Sequence, residues 1–242
     1  MPLYTKRTYR KQVRPGDMTC FGVAVKETDL WVCADRNLAD ETRDLIFDCR
    51  HQIESYMKLT PGFRDSLVPL PDDPLAPPVV KEMIRVTSQT HVGPMASVAG
   101  AIAQFVGRGL LQFTKQVIVE NGGDIFLNAH RSLTVSVFAG SSALSHRLGL
   151  LISTDQMPLG VCSSSGTVGH SLSHGTADLV CVLSPSAALA DAAATALGNR
   201  IRSVEDLERA AQWADRIGGI LGGMAVMGDT LSAWGDVELV EV

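Results

Sequence analysis

The stretch from Ala188 to Asn199, ALADAAATALGN, constrains the fold more than any other part of the chain. Its alanines at 190, 192, 193, 194 and 196 favour helix. A helix with such short side chains lets neighbours approach closely on more than one side. Asp191 and Thr195 lie four residues apart and therefore share one face. A carboxylate and a hydroxyl so placed offer two hard oxygen ligands, which Mg²⁺ accepts together with water and phosphate. An acid in a first helical turn also complements the helix dipole, so the spacing alone leaves both roles open.

Three further blocks are rich in small residues: VGPMASVAG (Val92 to Gly100), ENGGD (Glu120 to Asp124) and CSSSGTVGHSLSHG (Cys162 to Gly175). Small residues let a ligand reach backbone amides and carbonyls. Pro94 to Ala96 reads as a helix start, whose free amides suit an anion. Gly122 and Gly123 satisfy a hairpin turn, and Glu120 and Asp124 flank it as candidate partners for a ribose, a flavin edge or a metal-bound water. Ser164, Ser165, Gly166 and Thr167 could hold phosphate oxygens. His170 could act as general acid or base, because imidazole titrates near neutrality. His174 reads as solvated. The chain has no GxSxG elbow and no evident acidic partner for a Ser/His/Asp triad.

A net charge of −5 over 242 residues disfavours non-specific nucleic-acid binding. The basic cluster Lys6, Arg7, Arg10, Lys11 and Arg14 reads as the solvated face of a first strand. No apolar run is long and clean enough to span a bilayer, and no apolar segment follows the basic cluster as in a secretory signal, so a cytoplasmic address is expected. The five cysteines form no zinc pattern, and their odd number fits reduced, buried thiols. Trp213 and Trp234 read as core.

Periodicity gives strands at Thr19 to Val25 and Leu30 to Ala34, joined by Lys26 to Asp29, then a helix from Leu38 to Leu59. Thr60 to Pro78 holds six of the 11 prolines and reads as a loop. Helices are expected at Pro78 to Thr90 and Met95 to Phe113, and strands at Gln116 to Val119 and Ile125 to Asn128. In the second half, strands are expected at Leu133 to Phe138, Arg147 to Ile152, Gly160 to Ser163, Asp178 to Leu183, Leu221 to Val226 and Val237 to Val240. The helices there are Ser186 to Leu197 and Val204 to Trp213, the latter opening on a Ser203-x-x-Asp206 cap. Strands flank helices in both halves. The fold class is α+β with a largely antiparallel sheet and an ancient duplication, and the absence of GxGxxG argues against a Rossmann fold.

In this order the blocks resemble the ApbE-like superfamily, which includes the FAD:protein FMN transferases. VENGGDIFL is similar to that family's strand–GG–strand segment, SSSGTVGHS to its Ser-Gly segment, and SPSAALADAAATALGN to its metal-binding helix. The resemblance implies a duplicated, T-fold-like α+β domain over 1–242, with halves near 1–130 and 131–242. It implies Mg²⁺ on Asp191, Thr195 and the carbonyl of Ala96. It also implies FAD or a related flavin nucleotide, and transfer of FMN to a threonine with release of AMP. Two departures stand out. Ser97 occupies the position of a lysine in the family's glycine-rich helix start, and His170-Ser-Leu-Ser-His174-Gly175 lacks the family's Asp-Pro.

The expectation is a flavin- or nucleotide-binding protein with Mg²⁺-dependent FMN or phosphoryl transfer. The alternatives are a binder without transfer, or a structural partner with a vestigial site. The expected partner is a small-molecule nucleotide, with a homodimer left open and neither nucleic acid nor membrane expected.

Overall fold

The computed structural model describes Arg10, residues 16–166 and residues 175–242. Strands β1 (Thr19–Val25) and β2 (Thr28–Ala34) form a hairpin. Its turn is Lys26-Glu27, two residues rather than the expected four, and Lys26 takes the left-handed φ of 53° that such tight hairpins use. Helix α1 (Ala39–Leu59) buries Thr42, Ile46, Cys49 and Ile53 along one stripe. After the proline-rich connection, α2 (Pro78–Thr90) starts with proline in its first turn, where no amide donor is needed. The expected helix from Met95 to Phe113 is two pieces, a 3₁₀ turn (Pro94–Ser97) and α3 (Val98–Leu110). The buried Ser97 hydroxyl donates to the Pro94 carbonyl at 2.8 Å, a local bond that competes with regular helix.

The remaining elements are β3 (Val117–Asn121), β4 (Asp124–Asn128), β5 (Leu133–Ser136), β6 (Leu148–Ile152), β7 (Leu159–Ser164), β8 (Leu179–Ser184), α4 (Ala187–Arg200), α5 (Val204–Ala214), β9 (Gly222–Met227), β10 (Thr230–Gly235) and β11 (Glu238–Glu241). Ser203 precedes α5, but its side chain makes no cap bond to the helix. Asp206 instead accepts from the Arg202 amide at 3.0 Å.

Eight strands pair antiparallel in the order β1-β2-β3-β4-β7-β8-β9-β10, and three more in the order β11-β6-β5. Along the large sheet, two strands, helices and two strands occur twice in succession. The alternation of strand side chains builds two separate apolar clusters. Val119, Phe126, Cys162, Val180, Val182 and Ala225 face the helices. Leu127, Val161, Cys181, Leu183, Met224 and Val226 face the small sheet. The result is three layers: helices, large sheet, small sheet.

Helix α4 lies at the centre of the helical layer, against β7, β8, α2, α3 and α5. A Cβ at Gly100 or Gly160 would meet the backbone of Ala187. The close neighbours implied by the alanines are thus the protein's own elements. Among the described residues, no helix is long and apolar enough to cross a membrane.

One expectation about the cysteines is overturned. Cys20 and Cys33 stand directly opposite each other on β1 and β2, with Cα atoms 4.1 Å apart, and form a disulfide. Cross-strand register brings their sulfurs within bonding reach, which a count of cysteines cannot reveal. Cys49, Cys162 and Cys181 are free and buried, as expected. Trp234 is buried in the helical core cluster, and Trp213 packs half-buried beside it.

Candidate functional site

Asp191 and Asp124 come together under the helical layer. Asp191 points from α4 toward α3, where its Oδ2 accepts from the Gly100 amide at 2.8 Å. This bond needs glycine at position 100, since a Cβ there would meet the Asp191 Cβ at 2.7 Å as well as the Ala187 carbonyl. Asp124 follows the turn made by Gly122 and Gly123, whose φ values of 71° and 110° suit glycine. Its Oδ1 accepts from the Ser163 amide at 3.3 Å. The Cys162 thiol feels both carboxylates and donates to the Ala187 carbonyl at 3.2 Å.

Both carboxylates are buried, and among the described residues neither is paired with a cation. Burial raises the Asp124 pKa to about 7; the Ser163 amide and Cys162 thiol oppose this in part, and Glu120 adds to it. Burial pushes Asp191 well above the usual carboxylate range, and the charge of Asp124 pushes it further against the amides of Gly100 and Ala99. The Cys162 thiol is raised by burial and by the same two carboxylates. Ser164, on the same sheet face two residues beyond Cys162, has a buried Oγ without a hydrogen-bond partner among the described residues. That hydroxyl faces Gly198, two turns along α4 from Asp191, so the oxygens a hard divalent cation would find beside each other here are those of the two carboxylates.

The other sequence-predicted residues distribute as follows. Thr195 is half-buried one turn beyond Asp191 on α4. Ala96 is half-buried in the 3₁₀ turn, which packs against α4, and its amide donates to the Gly93 carbonyl at 3.0 Å. Ser165 is half-buried, and Gly166 is exposed with its amide donating to the Ala177 carbonyl at 2.9 Å. Thr167, His170 and His174 lie outside the described residues. Glu120 is engaged by Arg10 and the turn: it accepts from the Arg10 Nε at 2.7 Å and the Gly123 amide at 3.1 Å. Arg10 is therefore ion-paired, not part of a solvated basic face.

Sequence reasoning did not single out the Gly100 amide, or Asn121, whose Nδ2 donates to the Ala99 carbonyl at 3.1 Å and ties the turn to α3. Both lie inside the small-residue blocks, which was the only signal for them. Two surface depressions, one around Asp35, Phe113, Lys115 and His130 and one around Ile217, Gly219 and Trp234, lie away from Asp191 and Asp124.

Comparison with known proteins gives the family and the fold. A UPF0280 protein of Methanothrix thermoacetophila is 42% identical over 198 residues, covering 81% of this chain and 82% of the relative. A UPF0280 protein of Methanococcus aeolicus is 38% identical over 224 residues, covering 89% of each. The apo flavinyl transferase ApbE of Pseudomonas stutzeri superposes with a TM-score of 0.57 at 14% identity, covering 89% of this chain and 94% of that one. The flavin transferase ApbE of Vibrio cholerae superposes with a TM-score of 0.56 at 14% identity, covering 90% and 96%. These two structures share the fold of the present chain. The family described as AbpE bacteria matches residues 10–218, and the chain belongs to that family.

Proposed function

We propose that the chain binds a flavin nucleotide, FAD or a close relative, together with Mg²⁺, and that its chemistry is related to flavin transfer. The single observation that carries this reading is the buried pair Asp124 and Asp191 without a cationic partner among the described residues. A soluble fold retains such a pair at a cost unless a cation completes it. Asp191, Thr195 and the Ala96 carbonyl would hold the cation. The Gly122-Gly123 turn, Asp124, Ser164, Ser165, Gly166 and Thr167 would orient the nucleotide, and His170 would hold or move a proton at the reacting oxygen. When bound, Mg²⁺ would neutralise charge on the pyrophosphate. The twofold order of strands and helices along the large sheet supports reading 1–242 as one duplicated, T-fold-like domain with halves near 1–130 and 131–242.

The test is direct. Freshly purified protein should show a flavin band, or calorimetry should show FAD binding that requires Mg²⁺. Incubation with FAD, Mg²⁺ and a threonine-containing acceptor should then yield an FMN adduct and AMP by mass spectrometry. Absence of nucleotide binding with and without Mg²⁺ would overturn the reading.

A second reading, a binder that does not transfer, is favoured by Ser97. Where the resembling transferases carry lysine, this short side chain is buried and bonded back to Pro94. Tight FAD retention without AMP release would select it.

A further inference from the structure

Arg10 is the one described residue of the basic N-terminal cluster, and it bridges the neighbouring strands β2 and β3 of the large sheet. Its Nη1 and Nη2 donate to the Asp29 carboxylate and carbonyl at 2.8 and 2.9 Å, on β2. Its Nε donates to Glu120 Oε2 at 2.7 Å, on β3. The other Glu120 oxygen accepts from the Gly123 amide at 3.1 Å. Gly123 is the second residue of the turn, and the next residue is Asp124. The side chains of Arg10 and Glu120 are 12% and 9% exposed, so water competes little for these bonds.

The relay has a physical purpose. Two consecutive glycines with left-handed φ give the turn little conformational stiffness of its own. Asn121 pins its start to the Ala99 carbonyl on α3. Glu120 pins its far side, and a carboxylate can do so only while its own orientation is fixed. Arg10 fixes it, because its planar fork is itself held on Asp29 by two bonds.

We propose that Arg10 is a positioning residue: through Glu120 it fixes the Gly122-Gly123 turn and so sets where the Asp124 carboxylate stands relative to Asp191. This rests on the proposed cation and nucleotide site. It assigns a task to an N-terminal residue far in sequence from every block of that site.

The test uses the full chain and Mn²⁺ alone as the probe, with free Mn²⁺ read by electron paramagnetic resonance. Arg10→Met should weaken Mn²⁺ affinity about 10- to 100-fold, as a disturbed outer shell does, because Asp124 stands beside the ligand Asp191 without holding the cation itself. It should also speed amide hydrogen exchange in peptides spanning 119–126, with 187–200 unchanged. Arg10→Lys should restore little, since an ammonium cannot span Asp29 and Glu120 as a fork. Added guanidinium should restore affinity to Arg10→Ala, a rescue that a merely structural loss would not show. Unchanged exchange at 119–126, or lost affinity that guanidinium fails to rescue, overturns the proposal. If the unmodified protein binds no Mn²⁺, the cation site falls separately. The exchange experiment still decides whether Arg10 holds the turn.

Discussion

The Asp191 carboxylate accepts a 2.8 Å hydrogen bond from the Gly100 amide, 91 residues earlier in the chain. Few contacts in the molecule join local geometry to the site so directly. The amide can reach the carboxylate only because position 100 has no side chain.

Gly100→Ala tests this contact. The added methyl would meet the Ala187 carbonyl and the Asp191 Cβ, so α3 and α4 must separate. Overpacking of this kind costs about 1–3 kcal/mol. Chemical denaturation should show a loss in that range. Mg²⁺-dependent ligand binding should fall as well, because the carboxylate loses its anchor. Full stability would show that the crossing is looser than described.

Asp191→Asn and Asp124→Asn should separate stability from binding. Each replaces a buried, uncompensated carboxylate with a neutral group of similar shape. Without metal at pH 8, thermal melts of both variants should match or exceed the parent. The shift produced by Mg²⁺ should vanish in Asp191→Asn. A variant markedly less stable without metal, yet still shifted by Mg²⁺, would contradict the assignment.

The same carboxylates give stability a pH dependence of defined sign. Asp124 has an ordinary value of 3.8 and a folded value of about 7, and Asp191 is displaced in the same direction. Between these values the folded chain keeps a proton that the unfolded chain has released. The contribution is therefore complete below pH 3.8 and is lost as pH rises through about 7, at up to ~1.4 kcal/mol per unit for one group. The metal-free protein should melt progressively lower from pH 5 to pH 8, against a flatter profile for Asp124→Asn. Mg²⁺ should stabilise more at pH 8 than at pH 5. An Mg²⁺ effect independent of pH would separate the cation from these carboxylates.

Thiol chemistry checks the packing independently. Cys49, Cys162 and Cys181 are free but buried, and burial raises all three thiols. Alkylation of the native protein should therefore be slow. Unfolding without reductant should expose three reactive thiols, and reduction should add Cys20 and Cys33. Five reactive thiols in unreduced, unfolded protein would rule out the disulfide.

Periodicity made most of the elements legible before any coordinates. The long amphipathic stripe of α1 and the proline at the start of α2 left little room for error. Strand β10 was not foreseen, because TLSAWG mixes small and polar residues and takes its regularity from pairing with β9. The break at Ser97 was also hidden, since it depends on one hydroxyl turning back to a carbonyl. Within the site, Asp124 and Asp191 were legible as chemistry, but their proximity was not, because it arises from strand register and from the contact at Gly100. Glu120 shows the opposite outcome. It drew attention as a ligand candidate, and it proves to hold a turn in partnership with Arg10, a residue no local pattern connects to it.

The large sheet keeps its two apolar clusters apart, so side chains beneath β5, β6 and β11 pack without touching those beneath the helices. Sequence drift in one compartment need not be answered in the other. Changes to the outer sheet, and to whatever surface it presents, need therefore not disturb the packing that seats Asp191 between α3 and α4.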